Sequence, residues 1–292
     1  VAGSTSGKTM GLSAYGRVRP EWIASARRYV RAYVKRPAFK VAGLRNYGKG
    51  HRINPVGLED LPELRPFLRP LERGSNNSIS QKIKNILGPD QYELRLPGPE
   101  HELSQDLAQT VQHAWTEEVI TLLANHRDIS PNLCVVGGCA LNGITNYRIE
   151  KEGLFQQCHF VPNPTDCGLS AGAALYAYFQ SGVQTFTGTK QFFSPYLGTE
   201  AFDLADLPTL KQSYPHHELQ PDHIPRIIAR LIHDNRLIGV IKGRYEIGPR
   251  ALGNRSILCN PLNSGMRALL NDKVKHREWY RPFAPVVTAE DV

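Results

Sequence analysis

No apolar run in this sequence approaches the roughly 20 residues that a bilayer-spanning helix needs, and no signal-peptide pattern is visible. The expectation is a cytoplasmic chain with no membrane partner. Cysteine is scarce. Cys134, Cys139, Cys158, Cys167 and Cys259 are odd in number and lack CxxC spacing, which argues against a disulfide scaffold or a zinc ribbon. Because several lie in or beside apolar runs, they are expected to be reduced core residues. Internal repeats and low-complexity tracts are absent. Acid is missing from one window: between Arg17 and Arg52 stand eleven Lys/Arg and only Glu21. That window carries +10 against +8 for the whole chain, which leaves about −2 elsewhere. The charge is therefore a local patch on a near-neutral body, and it points to a polyanionic partner.

What is present suits two domains: 292 residues, 41% of them apolar. The chain is organised around Gly239 to Pro261. Leu237 to Ile241 reads as a buried strand. It runs into a loop carrying Lys242, Arg244, Glu246, Arg250, Asn254 and Arg255, punctuated by Gly243, Gly248, Pro249 and Gly253. Glycine lets a backbone approach a ligand closely, and the planar guanidinium fork pairs with phosphate or carboxylate oxygens. This density of cations in a glycine-rich turn predicts a site for a small anion, a phosphate or acyl phosphate. A solvated turn with surface arginines is the plain alternative.

Other stretches add context. Ala2 to Thr9 fits a loose P-loop pattern, but nothing precedes it to form a strand, and Met10 to Pro20 is a poor helix. Glu21 to Lys35 predicts an amphipathic helix with Trp22, Ala26, Tyr29, Val30 and Tyr33 on one face and Arg27, Arg31 and Lys35 on another. Lys40, Arg45, Tyr47, Lys49, His51 and Arg52 continue the basic and aromatic mixture that nucleic acid attracts. A solvated helix face is the alternative there. A long helix is expected over 102–126, its buried side supplied by Leu107, Val111, Trp115, Ile120, Leu122 and Leu123. Leu133 to Val136 reads as a buried strand ending at Gly137-Gly138, a geometry in which backbone N–H groups can face a phosphate. Asn142 suits either a ligand or a helix cap. Asp166 stands in a turn before a small-residue helix, where an N-cap is the ordinary role. A linker is expected around 183–220. A short amphipathic helix is expected at 224–234, and another at 269–275.

The order of residues adds what composition cannot. E-x-G-P-R-A-L-G-N-R-S-I at 246–257, followed by L-N-D-K-V-K-H-R-E-W-Y-R-P-F-A-P at 270–285, resembles the O-carbamoyltransferases of the nodulation-protein, cephalosporin and tobramycin type. So does G-K-x-M-G-L-x-x-Y-G at 7–16. G-G-x-A-L-N at 137–142 with P-x-D-x-G at 164–168 resembles the second half of a Kae1-like, actin/sugar-kinase type nucleotide-binding domain.

The resemblance implies an α/β fold: the second half of a Kae1-like domain over residues 1–195, a linker over 196–220, and the start of a YrdC-like domain over 221–292. It implies an enzyme that joins carbamoyl phosphate to ATP as a carbamoyl-adenylate and passes the carbamoyl group to an acceptor hydroxyl. By carry-over, Arg244, Arg250 and Arg255 hold the donor, Gly137, Gly138 and Asn142 contact ATP, and Asp166 binds a divalent metal, Fe or Mg. The family's first phosphate loop, its metal-binding histidines and the remainder of its YrdC-like domain have no counterpart here, so a fragment is expected. Lys242 stands where the family has Gln. The basic window makes a hydroxymethylated base in DNA or a nucleotide the expected acceptor. A tRNA threonylcarbamoyl transferase-like enzyme and a non-catalytic nucleic-acid-binding module are the competing readings.

Overall fold

The computed structural model describes residues 6–34, 60–70, 92–94, 96–182, 194–201, 203–288 and 290. Helices and strands mix along them, as an α/β fold requires. The chain forms two compact units. One comprises Val1–Pro131 with Asn142–Phe155, and the other Asn132–Leu141 with Gln156–Val292.

In the first unit, α1 (Ser6–Ser13) and α2 (Ile23–Val34) both pack on α3 (Glu102–Ala124). A 3-10 turn, Pro20–Trp22, leads into α2. The apolar spacing predicted for α2 is realised. Trp22 is buried with Leu61, Leu64 and Leu107, and Ala26 and Val30 are buried with Ala114. The face that α3 buries is smaller and more polar than expected: Ser104, Asp106, Ala108, Thr110, Gln112, Ala114 and Thr116 join Leu107, while Leu122 is exposed. Close approach explains this. A Cβ on Gly16 would lie 2.0 Å from the Gln105 carbonyl oxygen, so at that point the two backbones touch with no room for a side chain.

Of the segment read as a poor helix, Met10–Ser13 closes α1, with Gly11 and Ser13 buried, and the remainder to Arg19 is turn and irregular chain. Residues 1–5, where the P-loop reading would need its opening turn, lie outside the described residues. The unit also holds the antiparallel pair β1 (Leu68–Pro70) and β2 (Tyr92–Leu94), and α4 (Gly143–Glu152), which ends at Gly153 with φ +62°.

The basic face of α2 is not a free cationic surface. Arg31 pairs with Glu118 at 2.7 Å, and Arg27 lies 3.6 Å from the same carboxylate. Arg28 pairs with Asp60 at 2.6 Å, and Arg19 pairs with the buried Asp106 at 2.6 Å. Counting charge along the chain missed these partners because they come from distant segments. Lys35 and residues 40–52 lie outside the described residues.

In the second unit, β3 (Asn132–Val135) and β4 (Gln157–Phe160) are parallel, with Asn132 opposite Gln157 and Val135 opposite Phe160. Helix α5 (Leu169–Gln180) follows, then α6 (Leu207–Ser213) and α7 (Ile224–His233). Strand β5 (Ile238–Ile241) runs antiparallel to β6 (Arg255–Leu258). Last comes α8 (Gly265–Leu269), prolonged by a π turn over Leu270–Val274. The strands expected at 133–136 and 237–241 form, but they are not buried. Their residues alternate between half-buried and exposed, since each sheet has only two strands among the described residues. The cysteines likewise depart from a core role: Cys134, Cys139 and Cys167 are exposed, and Cys158 and Cys259 are half-buried.

Candidate functional site

The loop between β5 and β6 is closed at its neck, where Lys242 N donates to Asn254 O (3.0 Å). The Asn254 side chain donates to Arg244 O (2.7 Å). A second segment straps it from the side. Residues 194–201, within the stretch read as a linker, run antiparallel to 243–247. Ile247 N donates to Pro195 O (2.8 Å), Gly198 N to Tyr245 O (2.9 Å), Tyr245 N to Thr199 O (2.9 Å) and Ala201 N to Gly243 O (2.9 Å). Two tyrosines fasten the strap with side-chain hydroxyls: Tyr245 donates to Ala201 O (2.8 Å) and Tyr196 to Leu252 O (2.7 Å).

At the centre of the loop lies Glu246, its side chain 0% exposed. Its Oε1 accepts the N–H groups of Leu252 (2.7 Å) and Asn254 (2.9 Å). Its Oε2 lies 3.0 Å from Arg255 Nε. That approach is off-angle for a hydrogen bond, so Oε2 is held by charge rather than by a directed bond. Burial by itself pushes the Glu246 carboxyl up, but the backbone N–H groups and the Arg255 charge outweigh it and hold the group below its ordinary range. Gly248 is buried against a neighbouring turn, where a Cβ would lie 2.0 Å from Pro162 O. Any other residue would push the loop off the Pro162-Asn163 backbone.

The three arginines expected to hold the donor are held differently. Arg244 donates from Nε to Gly198 O (2.7 Å) and from Nη2 to Leu197 O (3.3 Å). Arg255 faces Glu246 and donates to Gly248 O (2.6 Å). Arg250 is exposed and makes no hydrogen bond or ion pair with any described residue. Two further arginines, not singled out from the sequence, share its neighbourhood. Burial pulls the Arg277 guanidinium below its ordinary pKa, and the like charges of Arg281 and Arg250 pull it further.

Asn271, 1% exposed, sets the positions of that pair. Its amide donates to Trp279 O and Arg281 O (both 3.0 Å) and accepts from Arg277 Nε (2.7 Å). Arg277 also donates to Pro282 O (3.1 Å) and lies 4.4 Å from the centre of the Phe283 ring. Glu278 sets a carboxylate 3.6 Å from Arg281. Cations gathered this way repel one another, and an anion placed among them lowers that repulsion. The signal for Arg277 and Arg281 lay in the 270–285 motif, but spacing alone could not bring it to Arg250.

The remaining candidates lie apart in role. Gly137 (φ +84°) and Gly138 are exposed at the end of β3, and a Cβ at either would meet nothing within 4 Å. The backbone there is open to a ligand. Asn142 caps α4: Oδ1 accepts from Thr145 N (3.2 Å) and Gln112 Nε2 (3.3 Å), and Nδ2 donates to Gln112 Oε1 (3.0 Å). Asp166 is exposed and opens the 3-10 turn Asp166–Gly168. Its carboxylate caps no helix and pairs with no described residue. It offers oxygen to a metal, yet among the described residues no group of three or more His, Cys, Asp or Glu could hold one. The residues described here therefore do not complete a metal site.

Together these features define an α/β protein with an arginine-rich loop and an exposed glycine turn at a strand end. The family model of the carbamoyltransferase N-terminus matches residues 2–175, and that of the carbamoyltransferase C-terminus matches residues 229–292. The chain belongs to the carbamoyltransferase family. It is 34% identical over 259 residues to the nodulation protein NolNO of Sinorhizobium fredii, covering 87% of this chain and 36% of that one. To the nodulation protein NolO of Bradyrhizobium diazoefficiens it is 31% identical over 258 residues, covering 87% and 45%. To the 3'-hydroxymethylcephem-O-carbamoyltransferase of Streptomyces clavuligerus it is 36% identical over 162 residues, covering 53% and 25%. The chain thus spans less than half the length of these relatives.

Proposed function

We propose that the protein to which this chain contributes is an ATP-dependent O-carbamoyltransferase. The observation that carries this reading is Arg250, exposed on the loop with no hydrogen-bond or ion-pair partner among the described residues, and near enough to Arg277 for its like charge to act there. A phosphate-bearing donor answers that cluster. In the reaction, carbamoyl phosphate, ATP and water give carbamoyl-adenylate with release of phosphate and pyrophosphate. The carbamoyl group then passes to a hydroxyl, and AMP leaves. Arg250, Arg277 and Arg281 neutralise the donor phosphate, and Arg244 and Arg255 contribute charge from behind it. Gly137 and Gly138 let ATP approach the backbone, and Asn142 shapes the turn that follows. Asp166 would give a divalent metal, Fe or Mg, one oxygen ligand, and such a metal would supply Lewis acidity. Residues 1–195 correspond in this reading to the Kae1-like part and 221–292 to the YrdC-like part, joined by 196–220. The acceptor is a hydroxymethyl group, as the name of the cephem enzyme suggests. A base in DNA or a nucleotide draws support only from the sequence charge of residues 35–52.

The test uses the full-length protein with ATP, a divalent metal and labelled carbamoyl phosphate, without acceptor. Pyrophosphate release that depends on carbamoyl phosphate is expected, and Arg250→Ala should cut it about 100-fold or more. No such release from the intact protein overturns the reading.

A further inference from the structure

We propose that Glu246 is a positioning residue, an internal counter-ion that holds loop 246–255 in the shape that presents Arg250 to the donor phosphate. This rests on the function proposed above. Residues 248–252 are fixed at both ends. At one end Gly248 is pressed on Pro162, and its carbonyl accepts from Arg255. At the other, Leu252 N–H is bound by Glu246 Oε1, and the Leu252 carbonyl is bound by the Tyr196 hydroxyl. Arg250 sits midway, the one arginine of the loop without a partner among the described residues.

Glu246 reaches both ends. It binds Leu252 and Asn254 directly, and it fixes Arg255, which in turn fixes Gly248. Stability alone accounts poorly for such a residue. A buried carboxylate loses its hydration, and an apolar side chain of similar size often stabilises a fold as well or better. An acid inside an anion-binding loop also opposes the binding of a second anion by simple charge. Its place makes sense if shape is what it supplies, since a preorganised loop needs no rearrangement when the donor arrives. The Glu246 charge is fully enclosed, whereas Arg250 is exposed, so within this loop it is the cation that a ligand meets.

The test compares wild type, Glu246→Gln and Tyr196→Phe in the full-length protein. KM for carbamoyl phosphate, KM for ATP and amide hydrogen exchange at residues 252 and 254 are measured. Glu246→Gln retains size but loses the charge, and should raise KM for carbamoyl phosphate about 10-fold or more. KM for ATP should move by less than about twofold, and the two amides should exchange faster. A merely structural loss would shift both KM values together. Tyr196→Phe removes only an exposed hydroxyl, so it folds even if Glu246→Gln does not; it should give a smaller rise in the same KM. An unchanged KM for carbamoyl phosphate in either folded variant overturns the positioning role while leaving the carbamoyl reaction intact. Wild type with no carbamoyl-phosphate-dependent activity overturns both.

Discussion

Arg250 stays unpaired, whereas Glu246 pairs with everything around it. The pH dependence of stability follows from that arrangement. The folded Glu246 carboxyl titrates below its unfolded value, so its contribution is present above the unfolded pKa and is lost as pH falls through the folded one. The urea-midpoint gap between wild type and Glu246→Gln should therefore be widest above about pH 5 and shrink below about pH 4. A gap that stays constant over that range would count against an ionised Glu246. Arg277 yields a second expectation. Burial, and then the like charges of Arg281 and Arg250, pull its guanidinium below the ordinary range. Arg281→Gln should leave the apo protein as stable or slightly more so, and should diminish the rise in melting temperature on adding phosphate. Thermal denaturation with and without phosphate measures both. The arginines, the glycines and Asp166 could all be singled out from the sequence by residue type and motif. The Asn271 clasp and the enclosure of Glu246 could not, because each joins groups through hydrogen bonds that no periodicity encodes.

Helices show the same division one level up. The apolar spacing of α2 revealed its buried face, and Trp22 sits fully buried where that spacing put it. Trp22→Ala should destabilise the first unit by about 3–5 kcal/mol in urea unfolding. Periodicity read α3 only in part: Leu107, Val111 and Trp115 pack into the core as expected, but Leu122 is exposed and Ser104, Ala108, Thr110 and Ala114 are buried beside them. Small residues carry little hydropathy signal, yet they decide how closely helices approach. Gly16→Ala tests this: with a Cβ forced to 2.0 Å from the Gln105 carbonyl oxygen, the variant should lose at least about 1–3 kcal/mol. A neutral result would mean that the turn at Gly16 can move off α3 at no cost. The basic stripe of α2 escapes a sequence reading for a related reason. Glu118 and Asp106 come from α3, and charge summed over neighbours in sequence cannot see neighbours in space.

Across the whole molecule, burial is uneven. The clusters around Trp22 and Ala26 lie in the first unit. In the second unit α5 leaves Leu169 67% and Tyr176 69% exposed. Hydrogen exchange should follow that contrast, with the amides of α3 protected for much longer than those of α5; equal protection would contradict it. Among the described residues no helix is long and apolar enough to cross a membrane, in keeping with the absence of a long apolar run in the sequence. The strap at 194–201 has a consequence for biosynthesis. Gly198 precedes its partner Arg244 by 46 residues, so a ribosome delivers the strap long before the loop it fastens. Until then its peptide groups stand unpaired, an open edge to which another nascent chain can add. The pairing that completes the arginine loop is thus a long-range closure, which forms slowly compared with local contacts, and a chain interrupted before residue 243 would carry the edge without the loop that covers it.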